Sequence, residues 1–186
     1  MEQKLRQALA GREVKRVKDD SRQLSAVLLP IYCKLDECYL VFTRRTERVK
    51  VHKGQISFPG GAYQEGDGTL LNTALRECAE EIGLAADDVE ILGALDDIVT
   101  TSGYIISPFV AVIPWLHQFK PNAEEIEEII EAPLSALLSS SRQREEIVSG
   151  EPLTCYFYYY QGSVIWGATA TILNQFLDIF TKVAKA

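Results

Sequence analysis

With 186 residues, of which 47% are apolar and 24% charged, the chain has the size and composition of one soluble globular domain. No uninterrupted apolar run approaches the roughly 20 residues that span a bilayer, which excludes a membrane protein. The net charge of -7 disfavours a large nucleic acid as the main partner, because it leaves no basic surface to grip a phosphate backbone. A small phosphate-bearing ligand still fits if a cation screens the carboxylates.

The N-terminal segment predicts a helical extension and carries no sign of export. Residues 1–20 read as a helix followed by a charged connector, without the apolar core and small-residue cleavage site of a secretory signal. We therefore expect a cytoplasmic protein. The four cysteines lack CxxC spacing and are expected to be free thiols of a reducing compartment: Cys33, Cys38, Cys78 and Cys155.

The first predicted strands form a hairpin that leads to a glycine break. Two β-rich runs, residues 25–34 and 38–44, flank a short turn. After a basic stretch, residues 55–58 form a short strand that ends at Pro59-Gly60-Gly61. The glycines let the backbone turn sharply, either as an ordinary turn or to bring a carbonyl beside nearby carboxylates.

The best-defined helix follows this break. The apolar positions of residues 70–82 fall on one arc at helical spacing, and Gly83 stands where a C-capping glycine belongs. Later patterns predict strands at 89–95, 107–113, 127–130 and 154–160 and a closing helix at 168–182.

Three acids on the predicted helix point to a cation. Glu77, Glu80 and Glu81 are spaced i, i+3 and i+4, which places their carboxylates on one face, opposite the apolar arc. Like charges at this spacing repel each other, and the macrodipole of the C-terminal half adds to the cost. Hard oxygen ligands suit Mg²⁺ or Mn²⁺, so a metal site is one interpretation. A solvated acidic face is the other, and the spacing alone does not choose between them.

Residues 61–84 resemble the Nudix box. The second half, from Arg76 to Leu84, matches the pattern Arg-Glu-apolar-any-Glu-Glu-any-Gly-apolar at every specified position. The first half departs from it, since Asp67 stands in place of a glutamate and eight residues, rather than seven, separate it from Arg76. In that family the loop acid is thought to hold the loop through the motif arginine, a role that falls here to Asp67 or Glu65.

A second resemblance concerns the segment before the box. Residues 41–46, Lys50, Gly54 and 58–61 are similar to the signature of coenzyme A pyrophosphatases, with matching spacing. The signature usually has serine or alanine where Thr46 stands and arginine where Lys50 stands, and lysine offers a point charge instead of a bidentate fork. The resemblance extends over roughly residues 25–180.

This resemblance implies a single domain over residues 1–186, an α/β/α sandwich with a mixed central β-sheet. It further implies hydrolysis of the pyrophosphate bond of coenzyme A or an acyl derivative, giving 4′-phosphopantetheine and 3′,5′-ADP, with Mg²⁺ or Mn²⁺ as cofactor. The implied metal ligands are the carbonyl of Gly60 and the side chains of Glu77, Glu80, Glu81 and Glu125. The resemblance leaves two candidates for the general base, Glu125 and Glu77, of which we favour Glu125.

The remaining implied site residues surround these acids. Arg76 belongs to the catalytic group, Arg45 and Lys50 face the phosphates, and Gly54 and Phe58 complete the substrate site.

Other readings stay open: a Nudix enzyme for ADP-ribose, dinucleotides or nucleoside triphosphates, or a non-catalytic module that senses a nucleotide. A purely structural role explains neither the acids nor the glycine break. Pairing of two copies into a homodimer is also open.

Overall fold

A computed structural model describes residues 1–48, 53–148 and 151–185. Its centre is the predicted hairpin, in which β1 (Gln23–Lys34) pairs antiparallel with β2 (Glu37–Arg45). The long apolar runs of both strands are buried, which is typical of strands covered on both faces.

The hairpin is extended on both sides into a mixed sheet. Beside β1 lies β7 (Tyr104–Val112), which runs parallel to it and is followed by β5 (Glu90–Ala94). Three short strands, β3 (Ile56–Ser57), β4 (Gly60–Ala62) and β6 (Ile98–Val99), pair with β2, β1 and β7. On the other edge β8 (Ile126–Pro133) pairs with β2.

Helices cover both faces of this sheet. One face packs against α2 (Leu70–Ile82), and the other against α1 (Glu2–Ala10) and α4 (Gly167–Lys185), each with its own hydrophobic cluster. The predicted α/β/α sandwich with a mixed central sheet is therefore confirmed. The short α3 (Leu134–Ser140) joins β8 to a small antiparallel sheet made of β9 (Arg142–Val148), β10 (Glu151–Tyr160) and β11 (Ser163–Ile165).

Helix α2 has the predicted bounds, but it is rotated from the predicted orientation. Thr69 caps its N-terminus by accepting a hydrogen bond from the Asn72 amide (3.1 Å), and Gly83 ends it with a left-handed φ of 70°. The buried face comprises Thr73, Ala74, Cys78, Glu81 and Ile82. The acids therefore border the buried face instead of opposing it, because the glycine break packs over that side of the helix.

The N-terminal residues form the helix α1 followed by a connector, in the order that the sequence predicts. The helix ends at Ala10, and the following connector is held by the acids after β5: Asp96 accepts from Arg12, and Asp97 from Arg16. Leu5 and Leu9 are buried in the core. Among the described residues, no helix is both long and apolar enough to cross a bilayer.

The expectation of four free thiols is wrong for two of them. Cys33 and Cys38 form a disulfide. They are direct partners across the β1–β2 hairpin, since the tight turn pairs Lys34 with Glu37 and the cysteines form the next pair. Cys78 and Cys155 carry reduced thiols.

Candidate active site

Glu81 is the most enclosed acid of the site. It is 3% exposed, at the point where α2 meets the start of β4. Its Oε2 accepts a hydrogen bond from the Gly60 amide (3.1 Å), and its Oε1 accepts one from Arg45 Nη1 (3.3 Å). Each oxygen of this carboxylate therefore has a different donor.

Burial dominates the electrostatics of Glu81. Removing the carboxylate from water raises its pKa to about 7, although the Gly60 amide and the Arg45 guanidinium favour the ionised form. Glu77 and Glu125 add a repulsion that acts in the same direction as burial. A carboxylate in this position is stabilised by any further cation.

Glu77 lies directly against the glycine break. A β-carbon on Gly61 would come within 2.5 Å of Glu77 Cδ, so the space that a side chain would fill belongs to the carboxylate. Burial raises the pKa of Glu77, while Arg76 opposes the shift by donating from Nη1 to Oε1 (2.8 Å). Gly61 thus allows the carboxylate to approach the backbone of β4.

Arg76 connects the helix to the loop that precedes it. It donates from Nε and Nη2 to the two oxygens of Asp67 (2.8 and 3.1 Å) and from Nη2 to the Ala62 carbonyl (3.2 Å). Asp67 also accepts from the Gln64 amide and the Thr73 hydroxyl. These donors hold the pKa of Asp67 well below its ordinary value. Asp67, not Glu65, therefore holds the loop despite its shorter side chain.

Glu80 occupies the outer edge of the acidic face. Its side chain is 59% exposed, and its Oε2 accepts from Arg76 Nη1 (3.0 Å). The three acids of α2 thus range from buried to exposed in the order Glu81, Glu77, Glu80.

Glu125 reaches the site from the loop before β8. Its carbonyl accepts from the Thr46 amide (2.8 Å), and its half-exposed carboxylate lies 3.6 Å from Arg45 Nη2. The neighbouring Glu124 takes part through its carbonyl, which accepts from the Thr46 hydroxyl (3.0 Å). Thr46, whose positioning role the sequence did not reveal, therefore fixes this loop beside Arg45.

The other residues predicted to bind the substrate differ in their positions. Gly54 donates its amide to the Arg45 carbonyl (3.1 Å) and has a φ of 64°, so it shapes the turn that supports Arg45. Phe58 is 2% exposed and stacks on Phe42 with ring centroids 4.5 Å apart, which favours a packing role. Lys50 lies outside the described residues.

The acids are paired with arginines in this structure. Within the described ranges, no three acidic, histidine or cysteine side chains are gathered closely enough to hold a metal ion. Arg45 contacts Glu81 and Glu125, whereas Arg76 contacts Glu77 and Glu80. The carboxylate oxygens suit a hard divalent cation. The assignment of ligands, including the Gly60 carbonyl, stays a prediction.

Comparisons with known proteins agree with this geometry. Residues 22–150, more than half of the chain, match the NUDIX domain model. The uncharacterized Nudix hydrolase NudL of Photorhabdus laumondii is 40% identical over 163 residues, which cover 87% of this chain and 86% of the relative.

Solved structures show the same fold at low sequence identity. An Ap4A hydrolase from C. elegans superposes with a TM-score of 0.52 at 13% identity, covering 63% of this chain and 84% of that one. The NUDIX domain of Shewanella oneidensis NrtR, solved with ADP ribose, gives 0.52 at 18% identity, with 72% and 85% covered. The chain therefore belongs to the Nudix hydrolase family, whose enzymes cleave pyrophosphate bonds in small nucleotide derivatives and generally use divalent metal ions.

Proposed function

We propose that the protein hydrolyses the pyrophosphate bond of coenzyme A or an acyl derivative, giving 4′-phosphopantetheine, or its acyl form, and 3′,5′-ADP. The observation that carries the proposal is the arrangement around Glu81. A buried carboxylate, the glycine break and Arg45 meet at one point, and Arg45 belongs to the segment that resembles the coenzyme A signature. Mg²⁺ or Mn²⁺ is the proposed cofactor.

The acids of α2 and Glu125 would hold the cation. When bound, it supplies Lewis-acid polarisation of the pyrophosphate and lowers the pKa of a water molecule. The chain's own contribution is to fix these oxygens: Gly60 orients Glu81, and Arg76 orients Glu77. Arg45 provides a planar guanidinium suited to phosphate oxygens.

We assign the general base to Glu125. A base must be free to accept a proton near the attacked phosphorus. Glu77 is bound at 2.8 Å by Arg76, while Glu125 is half exposed and has a looser contact of 3.6 Å with Arg45. Glu125→Gln should therefore lower turnover far more than it weakens Mn²⁺ binding, because the acids of α2 still hold the ion, whereas Glu77→Gln should weaken Mn²⁺ binding itself.

The whole chain is proposed to act as one domain in the cytoplasm. Burial of Leu5 and Leu9 in the main core supports the single domain, because the N-terminal helix completes that core. The Cys33–Cys38 disulfide weighs against a cytoplasmic location, since reducing compartments keep thiols reduced. Fractionation of cells that express the tagged protein checks the location.

A substrate panel tests the activity. The purified protein with Mn²⁺ is given coenzyme A, acetyl-coenzyme A, ADP-ribose, Ap4A and a nucleoside triphosphate, and the products are identified by mass spectrometry. Preferred release of 4′-phosphopantetheine from coenzyme A supports the proposal. Preferred cleavage of ADP-ribose, Ap4A or the triphosphate would contradict coenzyme A as the substrate but would keep pyrophosphate hydrolysis as the reaction. Tight binding of a nucleotide without any product supports a sensing module instead. Light scattering on the same sample shows whether one or two copies form the active unit.

A further inference from the structure

Arg45 and its neighbour Arg44 differ in what they contact. Arg44 donates to Glu128 Oε2 (2.9 Å) and to the Ser163 hydroxyl (2.7 Å), on the side of the small sheet. Arg45 turns toward α2. The pairing of β2 with β8 shifts register between these two residues, and such a bulge redirects a side chain.

The backbone of Arg45 is fixed, whereas its guanidinium is held loosely. The amide donates to the Gln55 carbonyl (3.0 Å), and the carbonyl accepts from the Gly54 amide (3.1 Å). The side-chain contacts are longer, at 3.3 Å to Glu81 and 3.6 Å to Glu125, beyond the 2.7–2.9 Å typical of strong charge-assisted bonds. The buried Nε has no partner in the described structure. The guanidinium can therefore leave without a change in the strand.

Arg45 contacts an oxygen of Glu81 that also suits a divalent cation. Glu81 Oε2 already accepts from the Gly60 amide, so a cation that binds Oε1 would share that oxygen with Arg45. A divalent cation on Oε1 and the guanidinium in its present place would repel each other at short range in a poorly hydrated site. The guanidinium and a divalent cation therefore compete for this oxygen.

We propose that Arg45 is an exchangeable internal counter-ion: it neutralises Glu81 and Glu125 in the metal-free protein, and a divalent cation displaces it on binding. The displaced guanidinium then becomes available to an anionic substrate. This inference rests on the proposed function, because it takes Glu81 to be a metal ligand. Its consequence is that Arg45 lowers the affinity of the protein for its own cofactor in the absence of substrate.

Binding of Mn²⁺ in the absence of substrate tests this, measured by electron paramagnetic resonance at a pH of about 8, where Glu81 is largely ionised. Arg45→Gln should bind Mn²⁺ about tenfold more tightly than the wild type, within the usual range of coupling between two ligands. Arg44→Gln removes the same charge one residue away and should match the wild type within about twofold. Equal or weaker binding by Arg45→Gln overturns the exchange. A wild type that binds no Mn²⁺ contradicts the proposed function instead.

A second measurement uses the unaltered protein and so does not depend on the folding of a variant. Arginine side-chain N–H resonances are followed by NMR during titration with Mg²⁺. The Arg45 Nε–H signal should shift with the same midpoint as metal binding, while that of Arg44 stays in place. An Arg45 signal that does not respond to saturating Mg²⁺ overturns the proposal.

Discussion

Gly61 and Glu77 are so close that a β-carbon on the glycine would lie 2.5 Å from the carboxyl carbon of the glutamate. The carboxylate occupies space that any other residue at position 61 would claim. Since the obstructing group is the end of a side chain, Gly61→Ala should fold and should push Glu77 away from β4. We expect turnover to fall by up to about a hundredfold, the scale of an ångström-sized misplacement at a reacting centre.

The neighbouring glycine provides the contrast. A β-carbon on Gly60 would lie 2.2 Å from the Ala26 carbonyl oxygen and 2.6 Å from Val27 Cα, which are backbone atoms of β1. Gly60→Ala should therefore lower the unfolding temperature strongly, whereas Gly61→Ala should change it little. Thermal unfolding followed by circular dichroism separates the two. Similar melting temperatures in both variants would contradict this division.

The pH dependence of stability should report on Glu81 in the metal-free protein. Burial raises its pKa from 4.5 to about 7, so the folded state prefers the protonated acid. The contribution to stability is fully present below pH 4.5 and is lost as the pH rises through about 7. The loss amounts to about 3 kcal/mol.

Urea unfolding in the presence of a chelator measures this loss. The side chain of Glu81→Gln does not ionise, so the difference in unfolding free energy between it and the wild type should change between pH 4.5 and pH 7 and then level off. Glu80→Gln, at the exposed edge of the same face, is the matched control. A pH-independent difference for Glu81→Gln would show that its carboxyl group titrates normally.

Asp67 should resist replacement by the residue that the Nudix pattern prefers. It accepts from Arg76, Gln64 and Thr73, and only 5% of its side chain is exposed. An added methylene has to be accommodated in this enclosed network. We expect Asp67→Glu to lower the unfolding temperature and the turnover, and Asp67→Asn to lower both further by weakening the pair with Arg76. The loop between Asp67 and Arg76 is one residue longer than in the Nudix pattern, and we take this extra residue to compensate for the shorter side chain of Asp67. A more stable Asp67→Glu variant would contradict that compensation.

Reduction of the hairpin disulfide should cost stability without changing the site. The two cysteines are separated by five positions in the sequence. Closing so short a loop stabilises the folded state by about 2 kcal/mol, through the lower chain entropy of the unfolded state. A phosphine reductant should lower the unfolding free energy of the wild type and leave that of a Cys33→Ser, Cys38→Ser double variant unchanged. Turnover should be the same in all samples. Loss of turnover on reduction would show that the hairpin end is coupled to the acids.

The sequence predicts the fold where local chemistry decides it. The bounds of α2 follow from Thr69, the apolar spacing and Gly83, and the β1–β2 hairpin follows from two β-rich runs around a short turn. Strands β9 and β11 have no such signal: β9 begins with Arg142-Gln143-Arg144, and β11 has three residues. They depend on pairing with β10, which is not visible in either segment alone.

The sequence predicts which residues form the site better than it predicts their contacts. The spacing of the helix acids reveals Glu77, Glu80 and Glu81, but not that packing of β4 buries Glu81 while leaving Glu80 exposed. The contact of Arg45 with Glu81 joins residues 36 positions apart and depends on the register shift in β2. The disulfide is the opposite case, because the correct turn length would have placed Cys33 opposite Cys38.

The central claim is that Glu81 holds the divalent cation that promotes pyrophosphate cleavage. Its most direct test is the turnover of coenzyme A with saturating Mn²⁺ by the wild type, Glu81→Gln and the control Glu127→Gln, an exposed acid of β8. We predict a loss of at least about a hundredfold for Glu81→Gln, or roughly 2.7 kcal/mol of barrier, with Glu127→Gln close to the wild type. A Glu81→Gln variant that folds, binds Mn²⁺ as the wild type does and turns over at a similar rate would contradict the account.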